Sequence, residues 1–309
     1  MNVYVYPTDL EWFHFLSGRA DVDEVNFWQP GGRQAFARLQ PGDLFLFRLK
    51  SPVNMIGGGG VFVHGSLYPL NAAWDAFGIK NGTPDYVRFA SLIAKYKGVG
   101  KYEDLPADAQ IGCIILDRPF FLPRERWIPV PDDFSLNLVQ GKRYDGTAGT
   151  GRALVDQVSA ALTSMPRAVV NESPVNAMWS EPVLARRRLG QGAFRVVVTD
   201  IYARRCAVTG EKTLPVLQAA HIVPVARGGQ HRPDNGLLLR SDIHTLFDLG
   251  YVTIDDRQRF RVSPKLREEW SNGSFYYGLD KEPVRVPEDV ALQPSRQLLQ
   301  WHGDTVFRT

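Results

Sequence analysis

The chain has 309 residues, 44% of them hydrophobic and 22% charged, with a formal net charge of +3. That length favours two folded units with a linker over a single core, and that composition excludes a disordered chain. No apolar run reaches spanning length, and Met1 to Tyr4 opens into alternating sequence with no basic leader region, so a cytoplasmic protein without a membrane partner is expected.

The first stretch, residues 1–165, reads as a mixed α/β unit within an overall α+β protein. Strand-like alternation falls at Val3–Tyr6, Leu44–Phe47, Val61–Val63 and Ile114–Leu116. Helical patterns fall at Ala72–Phe77, with Gly78 as the stop, and at Tyr86–Tyr96. The segment 166–182 is proline-bearing and weakly periodic, as expected of a linker, and 183–309 forms the second domain. There Phe194, Val197, Val198, Ile201 and Tyr202 share one helical face. Cys113 and Cys206 stand far apart and outside any paired-cysteine motif, which excludes a disulfide framework and a four-cysteine zinc site. Both read as small buried hydrophobes.

Net charge alone is too small to identify a partner, but its distribution is uneven. Arg186, Arg187, Arg188, Arg195, Arg204, Arg205, Arg227, Arg232 and Arg240 crowd one part of the second domain. Arg187, Arg195, Arg204, Arg227 and Arg240 are the candidate contacts to a nucleic-acid backbone, since guanidinium forks match phosphate oxygens.

Three of the six histidines lie between His221 and His244. The sequence around them reads as a strand over Gln218–Pro224, a loop from Arg227 through the glycine pair to Asp234, a strand-like piece over Asn235–Leu239, and a short helix over Ser241–Asp248. Ser241 is placed to cap that helix and Gly250 to stop it. Hydrolysis of a phosphodiester needs a base to activate water, a cation to stabilise the charge that develops, and a group that holds the base in its working tautomer. His221 is the candidate base. His244 and Asp248, at i and i+4, converge on one metal site, and Asn235 fixes the loop and orients His221. One divalent ion fits this imidazole and carboxylate pair, Mg²⁺ or Mn²⁺ foremost, with Zn²⁺, Ni²⁺ and Co²⁺ also compatible.

On these residues, Cys206 to Asp256 resembles the HNH endonuclease family with its ββα-metal fold. The resemblance implies that His221 is the general base, Asn235 structural and His244 a metal ligand. It also implies cleavage of double-stranded DNA to 5′-phosphate and 3′-hydroxyl ends. The sequence departs from the family pattern where Ala220 stands in place of a further ligand. Cys206-Ala207-Val208-Thr209 lacks the second cysteine of a zinc motif, so no structural zinc is expected. His231 reads as a loop surface residue or DNA contact.

Pro41 to Leu49, with Gly57–Gly60 and Val61–Val63, resembles the strand, crossover and glycine-turn pattern of PUA-like domains, including the EVE and ASCH branches. That resemblance implies a small β-barrel that binds nucleic acid, with Asn26, Phe27, Trp28, Lys50, Ser51 and Trp74 as candidate pocket residues for a flipped modified base. Tyr144-Asp145-Gly146 resembles a tripeptide of another modified-cytosine reader. Together the two resemblances imply a bacterial, modification-dependent restriction endonuclease that acts in phage defence, with modified cytosine the foremost base. Double-strand cutting from one site per chain implies a homodimer or two successive nicks. Two other readings stay open: an HNH nuclease for unmodified or structured DNA with a general DNA clamp, and a DNA-binding regulator with a decayed nuclease core.

Overall fold

The computed structural model describes residues 1–31, 38–138, 140–163 and 188–309. The chain divides into two compact units, Met1–Leu184 and Ala185–Thr309. The segment expected as a linker lies outside the described residues, as does Arg187.

The first unit is built on strands β1 (Asn2–Thr8), β2 (Glu24–Gln29), β3 (Leu44–Leu49), β4 (Met55–Pro69), β5 (Gln110–Phe121), β6 (Ile128–Pro129) and β7 (Lys142–Asp145). They form one sheet in the order β2-β5-β4-β3-β1-β7, with β6 paired to β4; only the β1 and β3 pair is parallel. Side chains on a strand alternate between faces, and here both faces are covered. Leu44 and Leu46 join Val3, Val5 and Val61 under helix α4 (Gly149–Thr163), which contributes Leu154, Val158 and Leu162. Phe45 and Phe47 join Tyr4, Phe27 and Phe62 on the other face, under Trp12, Phe13 and Leu16 of helix α1 (Leu10–Ser17). Helices α2 (Leu70–Phe77) and α3 (Tyr86–Lys97) stand where helical spacing placed them; Gly78 ends α2 at φ 48°, and Asp85 caps α3 by accepting from the Arg88 amide at 2.7 Å.

Two expectations for this unit need correction. The described strands make an open sheet with β2 and β7 at its ends, so the expected barrel is not closed among the described residues. Gly57–Gly60 is not a turn but lies inside β4, where the strand is crowded by its neighbours. A Cβ at Gly58 would stand 2.2 Å from the Phe120 carbonyl oxygen, and one at Gly59 would stand 2.5 Å from that of Phe45. Glycine is needed there for close backbone approach, and the register shifts beside it, between Gly59 and Val61.

The second unit runs α5 (Gln191–Ile201), β8 (Leu217–His221), β9 (Gly236–Arg240), α6 (Ser241–Asp248), β10 (Val252–Ile254), β11 (Phe260–Val262), α7 (Lys265–Trp270), α8 (Ser274–Tyr277) and α9 (Arg296–Thr305). β8 and β9 pair antiparallel from Leu217 opposite Arg240 to His221 opposite Gly236, and α6 follows directly, so the second unit contains the expected strand, loop, strand and helix. Ser241 is the first helical residue of α6 rather than its cap; its carbonyl accepts from Thr245 Oγ1 at 2.9 Å. Gly250, at φ 76°, follows the helix end, where a Cβ would meet the Val306 carbonyl oxygen at 2.0 Å. His302 is buried in this core. Its Nε2 donates to the Phe247 carbonyl (3.1 Å), so its Nδ1 accepts from Thr253 Oγ1 (2.8 Å), tying α9 to α6 and β10. Among the described residues no helix is long and apolar enough to cross a membrane.

Candidate active site

His221 closes β8, where the strand gives way to the loop leading to β9. Its ring lies against Phe194 of α5, with centroids 4.1 Å apart and planes 10° from parallel. Its Nε2 is 2.9 Å from Nδ1 of His231. Burial, followed by the neighbouring His231 and His244, pushes the His221 imidazole down to about 4 from its ordinary value, so at neutral pH the ring is uncharged and holds a free lone pair. His231 is therefore not a surface loop residue. The loop turns it inward, half-buried, onto the ring of His221.

Asn235 is buried and fastens the loop on itself. Its Oδ1 accepts from the Val223 amide (2.9 Å), while its Nδ2 donates to the carbonyls of Val223 (3.0 Å) and Gln230 (2.9 Å). It does not bond the His221 ring, as orientation by a direct hydrogen bond required; it acts through the backbone on either side of the loop. Both polar atoms of the side-chain amide are thereby bonded, as a buried amide needs.

On α6, His244 and Asp248 face one another one turn apart, Nε2 to Oδ2 at 3.4 Å. Gln218 Oε1 lies 2.7 Å from His244 Nδ1 and accepts its proton, which leaves the Nε2 lone pair on the Asp248 side. Burial raises the Asp248 carboxyl above its ordinary value, and the neighbouring His244 offsets only part of that rise. An imidazole nitrogen and a carboxylate oxygen converging in this way are donors of the kind a divalent cation takes. Ala220 is fully buried, so the position before His221 points into the core, and among the described residues no group of three or more His, Cys, Asp or Glu could hold a metal. Gln218 was not singled out in the sequence; its place on β8 opposite the start of α6 is visible only once the strands are paired.

Cys206 is buried, and its Sγ accepts from the amides of Thr209 (3.5 Å) and Arg240 (3.3 Å), bracing the turn before β8. Of the candidate phosphate contacts, Arg240 forms a two-pronged pair with Asp242, 2.7 Å on each prong, and lies over Phe275. Arg204 pairs with Asp200 at 3.3 Å. These two are held by carboxylates of their own unit rather than presented unpaired. Arg195 is half-buried on α5, and Arg227 is exposed, its guanidinium 6.0 Å from the ring of Trp301.

The first unit holds a cavity of about 1020 Å³. Of the candidate pocket residues, Phe27, Trp28, Lys50 and Ser51 line it, together with Tyr6, Asp9, Trp12, Arg48 and Tyr96, which the sequence did not single out. Asp9 is gripped by Lys50 (2.8 Å) and by the Tyr96 hydroxyl (2.9 Å), and burial followed by that carboxylate pushes the Tyr96 phenol up to about 12. Gln29 donates to the Tyr6 hydroxyl. Asn26 does not line the cavity: it is fully buried, its Nδ2 donating to Asn81 Oδ1 at 2.8 Å and to Cys113 Sγ at 3.4 Å. Trp74 is also elsewhere, tilted against Phe89 at 5.9 Å and edge-on to Tyr86 at 6.2 Å. Tyr144 sits on β7 with its hydroxyl on Asp133 (3.0 Å), so Tyr144-Asp145-Gly146 belongs to the sheet margin and not to the cavity.

Residues 206–255 match the HNH endonuclease family. Among solved structures, the chain is similar to a "Modification dependent TagI restriction endonuclease", with 14% identity and TM-score 0.30 over 97% of this chain and 81% of that one. It is also similar to the "Type IV phosphorothioation-dependent restriction endonuclease ScoMcrA", with 15% identity and TM-score 0.18 over 78% of this chain and 49% of that one. No curated protein matches the chain by sequence.

Proposed function

We propose, proceeding from the HNH endonuclease domain at residues 206–255, that the chain is a divalent-metal-dependent DNA endonuclease whose first unit reads a modified base, modified cytosine foremost. The observation that carries the nuclease half is the uncharged, half-buried His221 at the end of β8, set beside a helix on which His244 and Asp248 converge.

In this mechanism His221 takes a proton from water as the water oxygen attacks phosphorus in line with the departing 3′-oxygen. Phe194 fixes the plane of the imidazole, and Asn235 holds the loop so that His221 meets the scissile phosphate in one geometry. His244 and Asp248 would hold one divalent cation, with Gln218 fixing the His244 tautomer. That ion, when bound, supplies positive charge to the phosphoryl and leaving oxygens. Arg195, next to Phe194 on α5, and Arg227, in the loop between β8 and β9, are the candidate contacts to the DNA backbone. The family resemblance further implies 5′-phosphate and 3′-hydroxyl products.

The reader half is supported by the cavity of the first unit, whose aromatic side chains Tyr6, Phe27 and Trp28 stand beside the polar groups of Asp9, Lys50 and Ser51. Aromatic faces stack on bases and the polar groups discriminate their edges. The test is cleavage of matched duplexes with Mg²⁺ or Mn²⁺: unmodified, or carrying 5-methylcytosine, 5-hydroxymethylcytosine, its glucosylated form, 6-methyladenine or phosphorothioate. Cutting confined to a cytosine modification is expected. Equal cutting of every duplex would contradict the reader assignment and leave the nuclease standing.

A further inference from the structure

Nothing in the mechanism above uses His231, yet its ring is built into the site. Its Nδ1 lies 2.9 Å from His221 Nε2, the two rings 4.9 Å apart at 60°. Phe194 packs on both, parallel to His221 at 4.1 Å and tilted to His231 at 5.7 Å. The backbone that carries His231 is pinned on two sides. Its own carbonyl accepts from the Leu189 amide at 2.8 Å, and the preceding carbonyl, of Gln230, accepts from Asn235 Nδ2 at 2.9 Å. The buried asparagine thus reaches the His221 ring indirectly, by placing the histidine that touches it.

A neutral imidazole carries one proton on one of two nitrogens, and the hydrogen bond at one nitrogen decides which. His221 Nδ1 has no hydrogen-bond partner among the described residues, whereas Nε2 has His231. A base must present an unprotonated nitrogen to water. If Nδ1 is that nitrogen, Nε2 must carry the proton and His231 Nδ1 must accept it.

We propose that His231 is a positioning residue that accepts the Nε2–H of His221 and so makes Nδ1 the nitrogen that takes the proton from water. The inference rests on the reading of His221 as the base. As the water O–H bond breaks, its proton goes to His221 Nδ1, and its electron pair stays on the oxygen that bonds to phosphorus, while the 3′-oxygen leaves with the electron pair of the broken P–O bond and takes a proton from solvent water. The Nε2 proton stays in place, and His231 Nδ1 stabilises the imidazolium that results. The arrangement follows the logic of an orienting acceptor behind a catalytic histidine, with an imidazole in place of a carboxylate.

The test uses the full chain labelled with ¹⁵N-histidine, and the variants His231→Asn and His231→Phe. In the wild type the His221 nitrogens should report the Nε2–H tautomer. Asn places an acceptor oxygen close to where Nδ1 was and should keep cleavage near wild type. Phe keeps ring bulk without an acceptor and should lower kcat by about 10- to 100-fold with KM for DNA unchanged. An Nδ1–H tautomer in the wild type would overturn the proposal, and so would a His231→Phe variant with wild-type kcat. A His221→Ala control separates the two levels: if it cleaves as wild type, the base assignment fails; if it is inactive while His231→Phe is fully active, only the role of His231 fails.

Discussion

Phe194 lies face to face with His221, and the space that lets it do so is supplied by Gly236, directly across the strand pair from His221. The backbone of Gly236, at φ −120°, is one any residue adopts, so its glycine is required by packing and not by conformation. A Cβ there would stand 2.5 Å from Val198 Cγ2 and 3.0 Å from the Phe194 ring. Gly236→Ala should therefore displace Phe194, lower stability by about 1–3 kcal/mol as overpacking does, and depress cleavage beyond what the stability loss explains. Urea denaturation and cleavage rates measured on the same preparation check it.

Gln218 fixes the proton of His244 at 2.7 Å, so its removal should be felt in cation affinity and not in folding. Gln218→Leu should raise the Mn²⁺ concentration needed for half-maximal cleavage by about 10- to 100-fold, with the rate at saturating Mn²⁺ largely restored. A Mn²⁺ titration of cleavage by wild type and variant reads this directly.

Burial holds His221 and His302 neutral, each pushed down to about 4. The unfolded chain takes up these protons near the ordinary imidazole value of 6.5, so it binds more protons than the folded chain between there and about 4. The stabilising contribution is complete above pH 6.5 and is lost as pH falls toward 4. For the fully buried His302 the loss is on the order of 3 kcal/mol. Thermal melts from pH 7 to pH 4 should show this decline, with a shallower one in His302→Asn. Cleavage by properly folded enzyme should likewise keep an acid limb below that of an ordinary histidine, because His221 remains an available base.

In the first unit, Trp28 borders the cavity with its Nε1 donating to the Asn81 carbonyl at 2.8 Å. Trp28→Ala should weaken binding of the preferred modified duplex by about 1–3 kcal/mol, the scale of one base stacked on one aromatic ring. Fluorescence anisotropy with modified and unmodified oligonucleotides reads it; the unmodified duplex should be unaffected.

The nuclease unit was legible in the sequence because its chemistry is local. One contiguous stretch supplies the strand, loop, strand and helix, and the i, i+4 spacing alone brings His244 and Asp248 onto one face. What the sequence left hidden depends on where a loop folds back. Nothing in the loop composition says that His231 turns inward, since that follows from the Asn235 bonds to Gln230 and Val223. The Arg240 fork on Asp242 was hidden in the same way, because a charge count does not reveal which guanidinium groups already have a carboxylate. In the first unit the alternating strands were readable, but which alternate residues face the cavity was not. Asn26 and Phe27 are neighbours on β2, yet Asn26 is committed to Asn81 and Phe27 lines the opening. The glycine run of β4 looked like a turn because the need for it lies in the Phe120 and Phe45 carbonyls, which are distant in sequence.

The most direct test of the account is single-turnover cleavage of a DNA duplex carrying the preferred modification, at saturating Mn²⁺, by wild type and His221→Ala. The account predicts metal-dependent cutting by the wild type and a rate lower by about 10²- to 10⁴-fold in the variant, with DNA binding and melting temperature retained. Equal rates in the two proteins, or cutting that persists in the wild type after chelation of divalent ions, would contradict it.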